Sequence, residues 1–202
     1  MTGRSSAERT IGILLFEDVE ELDAVGPWEV LAYWTREFPD DGYRVITLAD
    51  SLEPVVCAKG LRVLPDVTIA EAPLLDVLIY PGGWGMRAHL IDESRLRWVR
   101  EQRGSVPLMA SVCTGSLVYA AAGILAGRPA TTHWSALDRL SELDPSIQVR
   151  PDARFVDDGD VVTSAGISAG IDMALHLVER LSSTERAREV RRGIQYDPEP
   201  PV

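Results

Sequence analysis

Short unbroken apolar runs recur along this chain, and segments of helical periodicity lie between them. Ile11 to Phe16 is continuously apolar, the pattern of a strand covered on both faces. Pro27 stands where a first helical turn accepts proline, and Trp28 to Arg36 then repeats at helical spacing. Tyr43 to Leu48 predicts a second strand, and Pro54 to Leu64, broken at Lys59-Gly60, predicts a small hairpin. Asp76 to Tyr80 is a buried strand stopped by Pro81-Gly82-Gly83. Ser94 to Gln102 reads as an amphipathic helix, Val106 to Val112 as a strand, and Thr114 to Ala122 as a helix of small residues. A second hairpin turns at Asp158-Gly159 within Phe155 to Thr163, and helices follow over Ala169 to Leu181 and Thr184 to Arg192.

Strands alternating with helices imply βαβ units, a mostly parallel sheet and helices on both faces. No repeat or linker divides the chain, so a single α/β domain over 1–202 is expected, with 1–10 as a flexible N-terminus. In such sheets the chemistry collects beyond the carboxyl ends of the strands. Three loops leave strand ends with unusual residues: Glu17 to Gly26, Pro81 to Gly85, and Cys113 to Gly115.

Composition narrows the function classes. With 46% hydrophobic and 25% charged residues, the chain is globular in character. Its net charge of -11 argues against nucleic-acid partners and against anionic membranes. No apolar run is long enough to span a bilayer, and the polar first ten residues predict no secretory leader. Two cysteines are too few for a disulfide framework, which points to a reducing, cytoplasmic compartment. Three scattered histidines make no zinc set, and neither a phosphate loop nor a dinucleotide fingerprint is present, so no metal and no cofactor are expected.

Cys113 ends an apolar strand and opens a helix of small residues, the logic of a nucleophile elbow. The helix N-terminus favours the thiolate and predicts a lowered thiol pKa. The competing reading is a buried cysteine in a tight turn, the reading kept for Cys57. Gly82 and Gly83 could aim backbone N–H groups into a pocket as an anion-stabilising pair, or could simply form a turn. Asp23 sits between Leu22 and Ala24-Val25, either as a partly desolvated proton donor or as an early-helix carboxylate. The other acids of its loop read as solvated surface. His133 suggests a Cys–His pair, but reads better as a hydrogen-bonded turn residue.

These segments together resemble the ThiJ/PfpI superfamily, within the glutamine-amidotransferase-like group. The resemblance runs from about Ile11 to Pro201. It rests on Leu22-Asp23-Ala24-Val25-Gly26-Pro27, Pro81-Gly82-Gly83, Ser111 through Val118, Ala130-Thr131-Thr132-His133-Trp134, Gly166 through Asp172, and Tyr196-Asp197-Pro198. It implies a flavodoxin-like three-layer sandwich with a cysteine elbow. The cysteine elbow with Thr114, the Leu-Asp segment and the Thr-Thr-His-Trp segment match the branch that hydrates isonitriles. In that branch Cys113 would be the nucleophile, Asp23 the general acid/base and Thr114 a hydrogen-bonding residue of the site. The substrate would be a small isonitrile and the assembly a homodimer. Gly82, Gly83, Trp84, Ile167 and His133 are candidates for the substrate wall, with Trp134 beside them. Proteases and chaperones of the superfamily often carry His directly after the cysteine, where this chain has Thr114. Two alternatives stand: a glyoxalase-type enzyme acting on reactive carbonyls, and a sensor domain related to transcription regulators, for whose helix-turn-helix module the residues after Pro198 leave no room.

Overall fold

The structure, a computed structural model, describes residues 8–199. In chain order its elements are β1 (Arg9–Leu14), α1 (Glu21–Glu37), β2 (Tyr43–Ala49), β3 (Val55–Val56), β4 (Arg62–Val63), β5 (Val67–Thr68), β6 (Val77–Tyr80), α2 (Met86–His89), α3 (Glu93–Ser105), β7 (Leu108–Ser111), α4 (Gly115–Ala121), β8 (Pro129–Ala130), α5 (Leu137–Leu143), β9 (Gln148–Val149), β10 (Phe155–Asp157), β11 (Val161–Ser164), α6 (Ala169–Leu181) and α7 (Thr184–Gly193).

Seven strands form one sheet in the order β10-β11-β7-β6-β1-β2-β5. All its pairings are parallel except the β10–β11 hairpin. The chain steps one way from β1 to β2 and the other way from β6 to β7. Right-handed crossovers therefore put α1 and α3 on opposite faces. The helices α6 and α7 pack with α1, whereas α2, α4 and α5 continue the α3 layer. The result is the three-layer α/β sandwich expected from the alternating pattern. Beyond β1 and β6, where the strand order diverges, the carboxyl ends leave a crevice.

The sequence pattern and the structure part company at α1. Pro27 lies in the second turn of the helix and not in the first, because α1 begins at Glu21. The buried face of α1 is Asp23, Ala24, Pro27, Val30, Leu31 and Trp34, a continuous helical stripe. Its first member is an aspartate, so a hydrophobic pattern alone starts the helix too late. The short elements β5, β8, β9, α2 and α5 carry too few residues to show a period. Of the expected flexible N-terminus, 1–7 lie outside the described residues, and Arg9 and Thr10 are the first two residues of β1.

At the far end of α1, Asp41 ties three elements together. Its Oδ2 accepts from the indole Nε1 of buried Trp34 at 2.6 Å and from Arg186 Nε of α7 at 2.7 Å, with Ser182 Oγ 3.2 Å away. Asp41→Ala leaves the Trp34 N–H buried without an acceptor, which costs about 1–3 kcal/mol. A drop in thermal midpoint of several degrees is expected, largely recovered by Asp41→Asn. Equal melting of wild type and Asp41→Ala would show that this tie contributes nothing.

Candidate active site

Four strand ends meet at the crevice: those of β1, β6, β7 and β11. Each contributes one piece of the site. Cys113 follows β7 with φ 57°, a left-handed conformation that costs a non-glycine residue about 1–2 kcal/mol. Its surroundings hold it there. The Cys113 N–H faces the carbonyls of Ser164 and Ala165 at 3.2 Å each, from the end of β11. Its carbonyl accepts from Thr132 Oγ1 at 2.9 Å and from Ser116 Oγ at 3.3 Å. The elbow is thus clamped from both sides, and Thr132 of the Thr-Thr-His-Trp segment is one clamp.

Asp23, on the first turn of α1, is fully buried. It caps nothing: α1 has no side-chain cap. Instead its Oδ2 accepts the Gly82 N–H at 3.0 Å, and its Oδ1 has no hydrogen-bond partner among the described residues. Burial drives the Asp23 carboxyl from an ordinary 3.8 up to about 7, against the opposing pull of hydrogen bonding from Cys113 and Gly82.

The glycine turn works differently from the expectation of an anion-stabilising pair. The Gly82 N–H is spent on Asp23, and the Gly83 N–H is donated to Thr114 Oγ1 at 3.2 Å. Neither is free to receive charge from a substrate. Their task is positional. At Gly83, with φ 123°, a Cβ would lie 2.3 Å from the Glu20 backbone nitrogen and 2.5 Å from the Asp18 carbonyl. At Gly82 a Cβ would stand 2.5 Å from Thr114 Oγ1 and 2.9 Å from Asp23 Oδ2. Side chains there would push apart the two residues that flank Cys113.

The N–H groups that do face the Cys113 sulfur belong to Ile167 and Thr114. Ile167 itself has φ 46°, a second left-handed non-glycine residue, and this turns its N–H toward the elbow. The loop after β11 therefore completes the site. Its signal in the sequence is the run Gly166-Ile167-Ser168 directly after a buried strand, a fourth strand-end loop.

The expected lowering of the Cys113 thiol pKa is reversed. Burial pushes the thiol up, the nearby Asp23 charge pushes it further, and the Ile167 and Thr114 N–H groups only partly oppose them. Cys57, also free and buried, is pushed up to about 11 by burial and by Glu21, Glu17 and Glu20.

A cavity of about 490 Å³ opens onto Cys113. Gly83, Trp84, Thr114, His133 and Ile167 line it, so the structure brings together the candidate residues around the cysteine, with Gly82 and Asp23 just behind. His133 supplies no base to Cys113. Its Nδ1 bonds Ser135 Oγ at 2.8 Å and caps a turn, the hydrogen-bonded role expected of it. Trp134 is 77% exposed and lies outside this cavity, which corrects its place among the wall candidates. Of the acids of the first loop, Glu17 and Asp18 are exposed as expected and Glu20 and Glu21 half-buried, and three of them carry contacts. Glu17 accepts from Val56 N and Glu21 from Lys59 N, while Glu20 pairs with Lys59, so the loop holds the β3–β4 hairpin in place. Among the described residues no group of three or more His, Cys, Asp and Glu side chains could hold a metal, and no helix is long and apolar enough to cross a membrane.

A cysteine on a left-handed elbow beyond a parallel strand, facing an acidic residue from the first helix, defines a class of α/β proteins. The pattern of the DJ-1/PfpI family matches residues 9–180, and the chain belongs to that family. It is 42% identical over 191 residues to isonitrile hydratase of Pseudomonas putida, covering 95% of this chain and 80% of the hydratase. It is 30% identical to the HTH-type transcriptional regulator GbdR of Pseudomonas aeruginosa, covering 92% of this chain but 49% of the regulator. A ThiJ/PfpI family protein from Pseudomonas syringae superposes with a TM-score of 0.86 at 31% identity, over all of this chain and 84% of that one.

A pH-dependent stability follows from Asp23. Its folded-state pKa is raised, so the folded protein holds this proton more tightly than the unfolded chain does. That stability is complete below pH 3.8 and is lost as pH rises through about 7. Wild type should therefore lose melting temperature between pH 5 and pH 8 relative to Asp23→Asn, which has no such titration. Parallel melting curves across that range would contradict the buried-acid assignment.

Proposed function

We propose that this protein hydrates isonitriles to N-substituted formamides, with Cys113 as nucleophile and Asp23 as the acid/base. The observation that carries the reading is the pairing of a buried carboxyl poised near neutrality with a cysteine at the floor of a largely apolar cavity. The 42% identity to isonitrile hydratase supports the same reaction. A single domain acting as a homodimer completes the proposal. Leu22, Val25 and Trp28, each 36–37% exposed on α1, offer an apolar stripe for such a contact.

In the proposed mechanism the carboxyl and the thiol share one proton. Asp23 as carboxylate takes the Cys113 proton, which creates thiolate and carboxylic acid together. The thiolate sulfur attacks the terminal carbon of R–N≡C, and the Asp23 acid returns the proton to that carbon. The product is a thioimidate, Cys113–S–CH=N–R. Water then adds to the same carbon. Asp23 accepts its proton and passes it to the nitrogen, leaving a tetrahedral adduct. The hydroxyl proton returns through Asp23 to sulfur as the C–S bond breaks, releasing R–NH–CHO and the thiol. The net change is addition of one water. One carboxyl suffices because it gives and takes the same proton, and covalent addition splits a hard step into two easier ones. Thr114, held by the Gly83 N–H, and the Ile167 N–H steady the sulfur while its charge changes.

Purified protein should convert an alkyl isonitrile to its formamide in the presence of a chelator, as read by mass spectrometry. Cys113→Ala should abolish this, and Cys57→Ala should leave it near wild type. Absence of formamide across alkyl and aryl isonitriles would overturn the hydratase reading, and turnover of methylglyoxal in its place would favour a glyoxalase-type enzyme.

Asp23→Asn should slow the chemistry by about 10²–10⁴-fold, the usual worth of a positioned acid/base. The same change removes the negative charge that opposes the thiolate, so the apparent pKa for iodoacetamide alkylation of Cys113 should fall. Loss of turnover with a more acidic thiol separates an acid/base role from simple disruption. Near wild-type turnover would remove Asp23 from the mechanism.

A further inference from the structure

The same cavity carries charge for which hydration of a simple alkyl isonitrile has no use. Near Cys113 its wall is apolar, with Met86, Leu117 and Ile167. Arg87 of α2 and Arg139 of α5 also line it, from two separate elements. The Arg87 guanidinium lies over the Trp84 ring, 3.9 Å from its centroid, and has no carboxylate partner among the described residues. Stacking fixes the direction of its donors without using them. Among the described residues Arg139 pairs only with Glu142, one helical turn away at 3.0 Å, and both side chains are more than half exposed. Such a pair holds its partner weakly. The acid on the lining, Glu20, is paired with Lys59, which Glu21 shares.

The cavity therefore presents two available guanidinium groups in a chain whose net charge is -11. The net negative charge repels anions in general, so guanidinium groups on this wall favour an anion locally. The guanidinium fork matches a carboxylate in particular.

We propose that the enzyme prefers isonitriles whose substituent ends in an anionic group, a carboxylate, separated from the isonitrile carbon by an apolar spacer. The isonitrile end would reach Cys113, the spacer would lie along Met86 and Leu117, and the carboxylate would meet Arg87 and Arg139. This rests on the hydratase reading and names its substrate class.

The test compares para-isocyanobenzoate with para-isocyanobenzamide, which has nearly the same shape and no charge. The electronic difference between the two is common to every variant and cancels when kcat/KM ratios are compared between proteins. In wild type, raising the ionic strength should lower the benzoate-to-benzamide ratio. Arg87→Met should lower that ratio about fivefold, the upper worth of an exposed ion pair. Arg87→Met with Arg139→Met should lower it roughly 25-fold, if the two sites act independently. The loss should fall mainly on KM for the benzoate, as expected for binding remote from the reacting atoms. Arg97→Met removes the same charge from the exposed face of α3 and should leave the ratio at its wild-type value. An unchanged ratio in the double variant, with benzamide still hydrated, overturns this proposal alone. An equal loss in Arg97→Met also overturns it, by assigning the effect to net charge. No formamide from either compound, with an alkyl isonitrile still hydrated, overturns this proposal alone, and no formamide from the alkyl isonitrile as well overturns the hydratase reading with it.

Discussion

A carboxyl group buried away from solvent is the constraint around which this site is built. Asp23 Oδ2 accepts the Gly82 N–H beside the Cys113 thiol, and Oδ1 is without a partner among the described residues. Burial of that kind favours the protonated form, and here it holds the group near neutrality, where it can both give and accept a proton. Much of the nearby geometry serves to keep Asp23 dry and in place. The second residue of the Pro-Gly-Gly turn approaches too closely to tolerate a Cβ, Thr114 takes the next N–H, and α1 runs its buried stripe through the aspartate itself.

The cysteine depends on this carboxyl more than on its own helix. Desolvation and the Asp23 charge both oppose the thiolate. In the proposed mechanism the nucleophile arises when the proton moves from sulfur to carboxylate, a transfer that also arms the acid for the next step. The two left-handed residues Cys113 and Ile167 bring the sulfur and an N–H to the same point. The clamps on the Cys113 backbone offset a cost of about 1–2 kcal/mol at that residue.

The acidic first loop has a different meaning in the fold than along the chain. Glu17, Glu20 and Glu21 reach across to the β3–β4 hairpin and Lys59 and tie the hairpin to the start of α1. The clustered acids add to burial in raising the Cys57 thiol.

Periodicity and punctuation in the sequence determined the alternation of β and α, the parallel sheet, the elbow at Cys113 and three of the four loops that meet there. Those are local signals: an apolar run, a stop, and a helix of small residues can be read without knowing what lies across the fold. The cysteine–aspartate pairing was legible only as one of two readings of Asp23. Nothing along the chain states which side chain faces which, and residues 23 and 113 meet only because β1, β6 and β7 end side by side. Tertiary structure alone decided the start of α1, where a buried aspartate breaks the hydrophobic pattern. It decided that the Gly82 and Gly83 N–H groups hold the site together and do not receive substrate charge. It also decided the sign of the Cys113 shift, because desolvation depends on everything packed around a group and helix position is only one contribution to it.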